Sequence, residues 1–427
     1  LWDKTLIKNK VQDLALWGNP PAFDDKLHVG RPNIGNRQHL IERINDILDR
    51  RWLSNDGQYV QELERRVADF VGVKHCIATC NSTIALEIVI RALGLTGEVI
   101  VPSFTFIATV HPLQWQQITP IFCDIDPQTH ALDPRRLEEM ITPMTTGIIG
   151  VHIWGRPCAI DDLKLIARRR DLKLLFDAAH AFGCSRDGRM IGGFGDAETF
   201  SFHATKFFNT FEGGAVVTNN DGLAAKVRLM RNFGFAGYDN VVHIGTNGKM
   251  SEVSAAMGLS SLECLGEFIA VNRHNYQLYC QNLAGLPGVS LIAYDLEEKN
   301  NFQYIVLEIN EKIAGISRDH LMELLHRENV LARRYFYPGC HRMEPYASCY
   351  PGAKRFLPAT EQLIERVLTL PTGTAISDTD IITICQIIHL AVTHGEEITE
   401  RLRSIKTTLR TTGVSPWVKA SQPKAGK

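Results

Sequence analysis

GIIGVHI at residues 147–153, the charged stretch 161–170, and LKLLF at 172–176 running into Asp177 decide the fold class. The first run is apolar on both sides, as a parallel strand covered by helices must be. The second reads as a helix and the third as another short buried strand. Strand, helix and strand in succession make a β-α-β unit, which joins parallel neighbours in one sheet.

The same alternation continues in both directions, from about residue 60 to about residue 220. Residues 83–93 (TIALEIVIRAL) carry apolar side chains at helical spacing and stop at Gly94. Residues 98–101 and 118–123 read as strands, the second ending in Asp124. Asp133 and Pro134 then open a helix, with Asp as cap and Pro at the first helical position. The prediction is an α/β domain with a mostly parallel sheet flanked by helices. Past about residue 265 the character changes. Residues 262–279 read as one long helix, 304–309 as a strand and 381–392 as a buried helix, which predicts a smaller α+β domain. The expected division is a large domain over 28–265 and a small one over 266–400. The tail, 401–427, has seven Lys or Arg and no Asp or Glu, and is expected to be mobile.

Composition narrows the partners. The 427 residues are 44% hydrophobic and 22% charged, with a formal net charge of −1. That balance speaks against a basic nucleic-acid surface and an acidic solubilising tract. The ten cysteines form no C-x-x-C pair, so no metal or redox motif is expected, and free thiols point to a reducing cytoplasm. The most apolar run, 381–392, falls short of the ~20 residues a membrane span needs. Residues 1–10 lack the apolar core of a signal peptide.

In parallel sheets, ligands sit beyond the carboxyl ends of the strands, and four features fall there. Asn81-Ser82-Thr83 opens a helix, whose free N–H groups suit a phosphate, although any hydroxyl cap reads the same way. Residues 102–106 (PSFTF) offer an aromatic ring to lie on a planar cofactor, or to pack in the core. Asp177 ends a buried strand, before Ala178, Ala179 and His180. A carboxylate there needs a cation, such as a protonated pyridine nitrogen, unless it only caps the next helix. Lys206 follows Ser201 and sits among Phe200, Phe202, Phe207 and Phe208, ahead of Glu212-Gly213-Gly214. Apolar surroundings favour the neutral amine, the form that attacks an aldehyde. Ser201 could donate to a phosphate.

Taken in order, WLSNDGQYVQELE, VPSFTFIAT, VHIWGRP, DAAHAFG, FSFHATKFFNTFEGG, RNFG, GTNGKMSEVSAAMG and LPATEQLIERVLTLP resemble the DegT/DnrJ/EryC1/StrS sugar aminotransferases. The resemblance covers about residues 28 to 395 and is most like nucleotide-sugar 4-aminotransferases. It implies the fold-type-I architecture of pyridoxal 5'-phosphate (PLP) enzymes, a cofactor that alternates with pyridoxamine 5'-phosphate, and no metal. It implies that Lys206 binds the cofactor covalently, Asp177 pairs with the pyridine nitrogen and His180 lies near the ring hydroxyl. Phe106 would stack on the ring. Ser82, Thr83 and Ser201 would hold the phosphate, aided by Asn247 from the other subunit of a homodimer, with Lys249 a second candidate at that interface. One departure is Ser82, where the family usually has glycine.

The implied reaction moves an amino group, by family habit from glutamate, to a nucleotide-linked keto sugar, at C4 of a 4-keto-6-deoxyhexose. Lysine at 206 argues against the branch of the family that has histidine there and removes a hydroxyl. Alternatives are a 3-keto sugar or cyclitol acceptor, and a non-catalytic PLP-binding regulator. A nicotinamide dehydrogenase fits poorly, because Gly193-Phe194-Gly195 is followed by Glu198 where a third glycine belongs. His152 and Trp154 suit strand-end packing as well as a pocket. Arg334, Tyr335, Tyr337 and His341 fall in a segment that approaches the active site in the family.

Overall fold

The computed structural model describes residues 7–412. Its centre is a seven-stranded sheet of β1 (His75–Thr79), β2 (Glu98–Pro102), β3 (Thr119–Cys123), β4 (Thr145–Val151), β5 (Lys173–Asp177), β6 (Ala197–Ser201) and β7 (Gly214–Thr218). The spatial order is β1-β7-β6-β5-β4-β2-β3. Only β7 runs antiparallel to its neighbours, β1 and β6. The α/β fold read from residues 147–177 is the fold observed.

Successive side chains on a strand face opposite sides, and the sheet is apolar on both. Ile148, Leu174 and Phe176 face one core, together with Val60, Leu63 and Val67 of a helix, Gln58–Val71. Ile149, Leu175 and Val216 face a second core, with Leu86 and Val89 of α1 (Ser82–Leu93) and Val227 of α2 (Asp221–Arg231). Helix α1 begins where Asn81 accepts a bond from the Ile84 amide at 2.9 Å and ends at left-handed Gly94, as its sequence predicts.

A third core surrounds the antiparallel sheet of β8 (Val289–Leu291), β9 (Ile305–Ile309) and β10 (Val367–Leu370). One contributor to it carries no local sequence signal. Val11, Leu14, Leu16 and Phe23 are buried in this core, and Leu27–His28 pairs in parallel with Val330–Leu331. Glu328, fully buried, accepts bonds from the amides of Ala15 at 2.6 Å and Ala22 at 2.7 Å.

Two expectations are corrected. The helix read over 262–279 begins at Leu265 instead, as α4 (Leu265–Leu283), and a 62° bend at Cys264 separates it from α3 (Glu252–Glu263), which the sequence pattern does not predict. Helix α3 is buried on nearly every side, so it lacks the amphipathic stripe that marks a helix in sequence. The basic tail expected from residue 401 continues as a helix, Gly395–Thr412, and Leu402 is buried in the third core. The rest of that tail, residues 413–427, lies outside the described residues. Among the described residues no single helix is long and apolar enough to cross a membrane, and no cluster of metal-ligating side chains occurs. All ten cysteines are free.

Candidate active site

A cavity of about 530 Å³ opens at the carboxyl ends of β5 and β6, and Asn81, Ser82, Thr83, Phe106, Asp177, His180, Ser201 and Lys206 all line it. Strand register sets the floor. Asp177, the last residue of β5, stands between Val151 of β4 and Thr199 of β6. Its carboxylate is 5% exposed and accepts from Thr109 Oγ1 at 2.7 Å and from the Ala179 amide at 3.0 Å. Because Thr109 spends its proton on Asp177, its own oxygen accepts from Thr105 at 2.7 Å. Burial raises the Asp177 carboxyl above its ordinary value, while the Thr109 and Ala179 bonds and the Lys206 charge hold it down only in part. A buried carboxylate with so little cationic compensation suits a cationic ring nitrogen.

Lys206 projects from the loop after β6. Its Nζ donates to the Tyr304 hydroxyl at 3.1 Å. Desolvation pulls the amine from 10.5 down to about 8, against the opposing pull of Tyr335 and Asp177. Side chains from distant segments fix the loop. Phe207 donates its amide to Gln303 Oε1 at 3.0 Å, and the Phe207 carbonyl accepts from Asn33 Nδ2, also at 3.0 Å. Gly30, at a positive φ of 75°, lets the early chain pass Thr205, whose carbonyl would lie 2.9 Å from an added Cβ.

His180 is 7% exposed, and its Nδ1 accepts from the Trp154 amide at 3.2 Å. That bond leaves the proton of a neutral imidazole on Nε2. Burial, with the Lys206 charge, holds the ring well below its usual basicity. Trp154 is positioned in turn, since its indole N–H donates to His130 Nδ1 at 3.2 Å and His130 Nε2 lies 3.0 Å from Glu308 of β9. Stacked rings, Trp154 on Phe336 at 5.4 Å and His180 on Phe336 at 5.8 Å, wall one side.

At the opposite end stand the residues expected to hold a phosphate. Asn81 takes the Ile84 amide, leaving the first amides of α1 without a side-chain cap in their way. Ser82 is itself the first helical residue and has no positive φ, so a side chain there costs no strain. The close approach is met from the other side. A Cβ on Gly214 of β7 would stand 2.6 Å from the Ser82 nitrogen. Ser201, ending β6, faces the same space. Phe106, 56% exposed, presents its ring at the rim, 6.4 Å from Phe336.

Asn247 and Lys249 do not line this chain's cavity. They stand together, Lys249 Nζ donating to Asn247 Oδ1 at 2.7 Å and lying 4.6 Å over the Phe233 ring. Of the segment around 334–341, Tyr335 reaches the cavity. Arg334 is engaged by Asp319 at 3.1 Å, and His341 is buried between Ser103 and Glu361. His152 packs flat on Phe176 at 4.9 Å, beside Glu198, and is not a lining residue. Thr109, Gln303, Tyr304 and Arg333 also line or support the site without a motif of their own in the sequence. Thr109 ends the run VPSFTFIAT and Arg333 adjoins the 334–341 segment, so these two have a signal close by in the sequence.

These side chains fit PLP. A carboxylate for the ring nitrogen, an amine depressed toward neutrality and an anion cradle share one cavity. Comparison with known proteins agrees. The chain is 37% identical, over 355 residues, to a dTDP-4-amino-4,6-dideoxy-D-glucose transaminase from Shigella dysenteriae, covering 83% of this chain and 96% of that protein. It is 35% identical to a GDP-perosamine synthase from Caulobacter vibrioides, covering 83% and 95%. The crystal structure of DesI in the presence of its TDP-sugar product superposes with a TM-score of 0.87 at 51% identity, covering 92% of this chain and all of that one. A family model matches residues 35–389, and by that match and those likenesses the chain belongs to the DegT/DnrJ/EryC1/StrS aminotransferase family and is a PLP-dependent aminotransferase.

Proposed function

We propose that the enzyme moves an amino group from glutamate to C4 of a nucleotide-linked 4-keto-6-deoxy sugar. It would act in the cytoplasm as a homodimer, with Asn247 and Lys249 reaching the partner's phosphate cradle. The observation that carries the reading is Lys206 and Asp177 in one cavity, close enough for each to shift the other's proton affinity. The relatives' names support the sugar, the nucleotide and C4. Ten free cysteines support a reducing compartment. The exposed apolar side chains Phe233, Phe235, Val241 and Ile244, next to Asn247, support a subunit contact.

Bound PLP supplies an aldehyde to receive the amino group and a protonated ring to draw electrons from the reacting carbon. The chain supplies the rest. Asp177 keeps the proton on the ring nitrogen. With the amine near pKa 8, Lys206 is partly neutral at physiological pH, and it removes and returns the proton at the carbon that carries nitrogen. His180, neutral and held by Trp154, offers Nε2–H toward the ring hydroxyl. The α1 amides with Ser82, Thr83 and Ser201 grip the phosphate.

The test replaces Lys206 by Ala or Arg and follows two half-reactions. With glutamate the wild-type cofactor spectrum should shift to that of pyridoxamine phosphate, and incubation with a dTDP-linked 4-keto-6-deoxy sugar should yield the 4-amino product by mass spectrometry and NMR. Both variants should lose turnover. Retained turnover in either would refute the role of Lys206. Amination of a 3-keto sugar or cyclitol alone would refute the acceptor, and wild-type protein inert to glutamate would favour a PLP-binding regulator.

A further inference from the structure

The cavity holds one cation more than its own chemistry uses. Two carboxylates line it, and both are engaged. Asp177 is held by Thr109 and Ala179, and Glu212 lies 3.4 Å from His203. Of the one lysine and one arginine that line it, Lys206 is committed to the cofactor. The other is Arg333, exposed at the mouth. Its neighbours show what is unusual about it. Arg334 reaches Asp319 and covers the Tyr337 ring at 4.1 Å, and Arg318 is bound by Asp319 at 2.6 Å. Among the described residues, no carboxylate lies within ion-pair reach of Arg333.

Arg333 is nevertheless held in place. Its backbone pairs with Thr369 of β10 in both directions, at 3.1 and 2.8 Å, and Thr369 Oγ1 adds a bond to its carbonyl. Its guanidinium lies 5.1 Å over the Tyr335 ring. Tyr335 in turn contacts Tyr304 at 6.4 Å, whose hydroxyl accepts from Lys206. The charge of Arg333 and that of Lys206 both bear on the Tyr335 phenol. An arginine fixed at its backbone, laid on an aromatic face and lacking a counter-ion is preorganised to receive an oxyanion through its planar fork.

We infer that Arg333 is an oxyanion subsite of this active site, receiving either the carboxylate of the amino donor or the diphosphate of the sugar nucleotide. The inference rests on the aminotransferase reading of the same cavity. Both partners are anionic, and the two halves of the reaction separate them.

The test uses the PLP-loaded enzyme with Arg333→Ala, Arg333→Gln and Arg333→Lys. Arg333 makes no side-chain hydrogen bond in the fold, so melting temperatures should match the wild type. In the donor half, glutamate is varied. In the acceptor half, run in reverse, a dTDP-linked 4-amino-4,6-dideoxy sugar is varied. Loss of a charged hydrogen bond should raise KM in one half by roughly ten- to a hundredfold with kcat little changed, and lysine should recover part of it. A rise with glutamate assigns the carboxylate, and a rise with the sugar nucleotide assigns the diphosphate. KM within about twofold of the wild type in both halves, or a fall in kcat alone, overturns the subsite. Calorimetric titration with 2-oxoglutarate and with dTDP supplies a second readout. If wild-type protein shows neither half-reaction, the aminotransferase reading fails. Weaker binding of either anion to Arg333→Ala would still uphold the subsite, and equal binding of both would still overturn it.

Discussion

At the scale of single residues, the site depends on two shifted protonations. Desolvation holds the Lys206 amine near 8, so below that pH most of it is charged and cannot attack an aldehyde. The rate of PLP capture by the apoenzyme should rise about tenfold per pH unit below 8 and level off above it. A midpoint near 10.5, followed by stopped-flow absorbance, would show that the pocket does not desolvate the amine. Asp177 gives a second prediction. Thr109→Val keeps the side-chain shape but deprives a buried carboxylate of a donor, at a cost of about 1–3 kcal/mol. The carboxyl's pKa should rise further, and affinity for PLP should drop most at the acid end of its range. Unchanged affinity across pH 6–8 would remove Thr109 from the site. Lys206 and Asp177 were legible in sequence because each contradicts its surroundings: a lysine among phenylalanines, a carboxylate ending a buried strand. Thr109 and Tyr304 contradict nothing, since a buried threonine or tyrosine is ordinary, and only the fold brings them to the site.

At the scale of elements, the proposed phosphate cradle is a joint between α1 and β7. Gly214→Ala would drive a methyl into the Ser82 nitrogen and the Asn81 carbonyl carbon, neither of which can move without shifting the helix start. The expected result is a loss of about 1–3 kcal/mol in stability, as for other overpacked sites, with much weaker PLP binding. Thermal melts with and without cofactor would check it, and an unaltered cofactor-induced rise in Tm would count against the cradle. The strands expected at 98–101, 118–123, 147–153 and 172–176 lie within a few residues of β2, β3, β4 and β5, because doubly covered strands and capped helices carry local signals. Where burial is all-round the signal vanishes, which is why α3 goes unpredicted and the helix expected from 262 overruns the bend at Cys264. The basic end misled in the opposite way. Its charge was plain, whereas Ile398 and Leu402, which pin the helix, are two apolar residues in a polar stretch.

At the scale of the whole molecule, the division into a large and a small unit was expected from the change of pattern near residue 265. No local pattern announced that residues 11–28 would return to the third core, because that segment has little regular structure and its main anchor, Glu328, is some three hundred residues away. Asn33 ties these distances together. Its amide nitrogen donates to the Phe207 carbonyl at 3.0 Å, and its Oδ1 accepts from the Thr374 amide at 3.1 Å and hydroxyl at 2.8 Å. Asn33→Ala strands the buried Phe207 carbonyl, while the exposed Thr374 groups turn to water, and should cost about 1–3 kcal/mol. Urea unfolding would measure it, and a change under about 0.5 kcal/mol would show that the tie is slack. The same tie sets a timetable for synthesis. A ribosome that has finished the entire seven-stranded sheet has not yet made Thr374, so the newborn chain carries its reactive lysine on a loop still missing one of its fastenings, and durable capture of the vitamin-derived coenzyme belongs to the last moments of translation or after release.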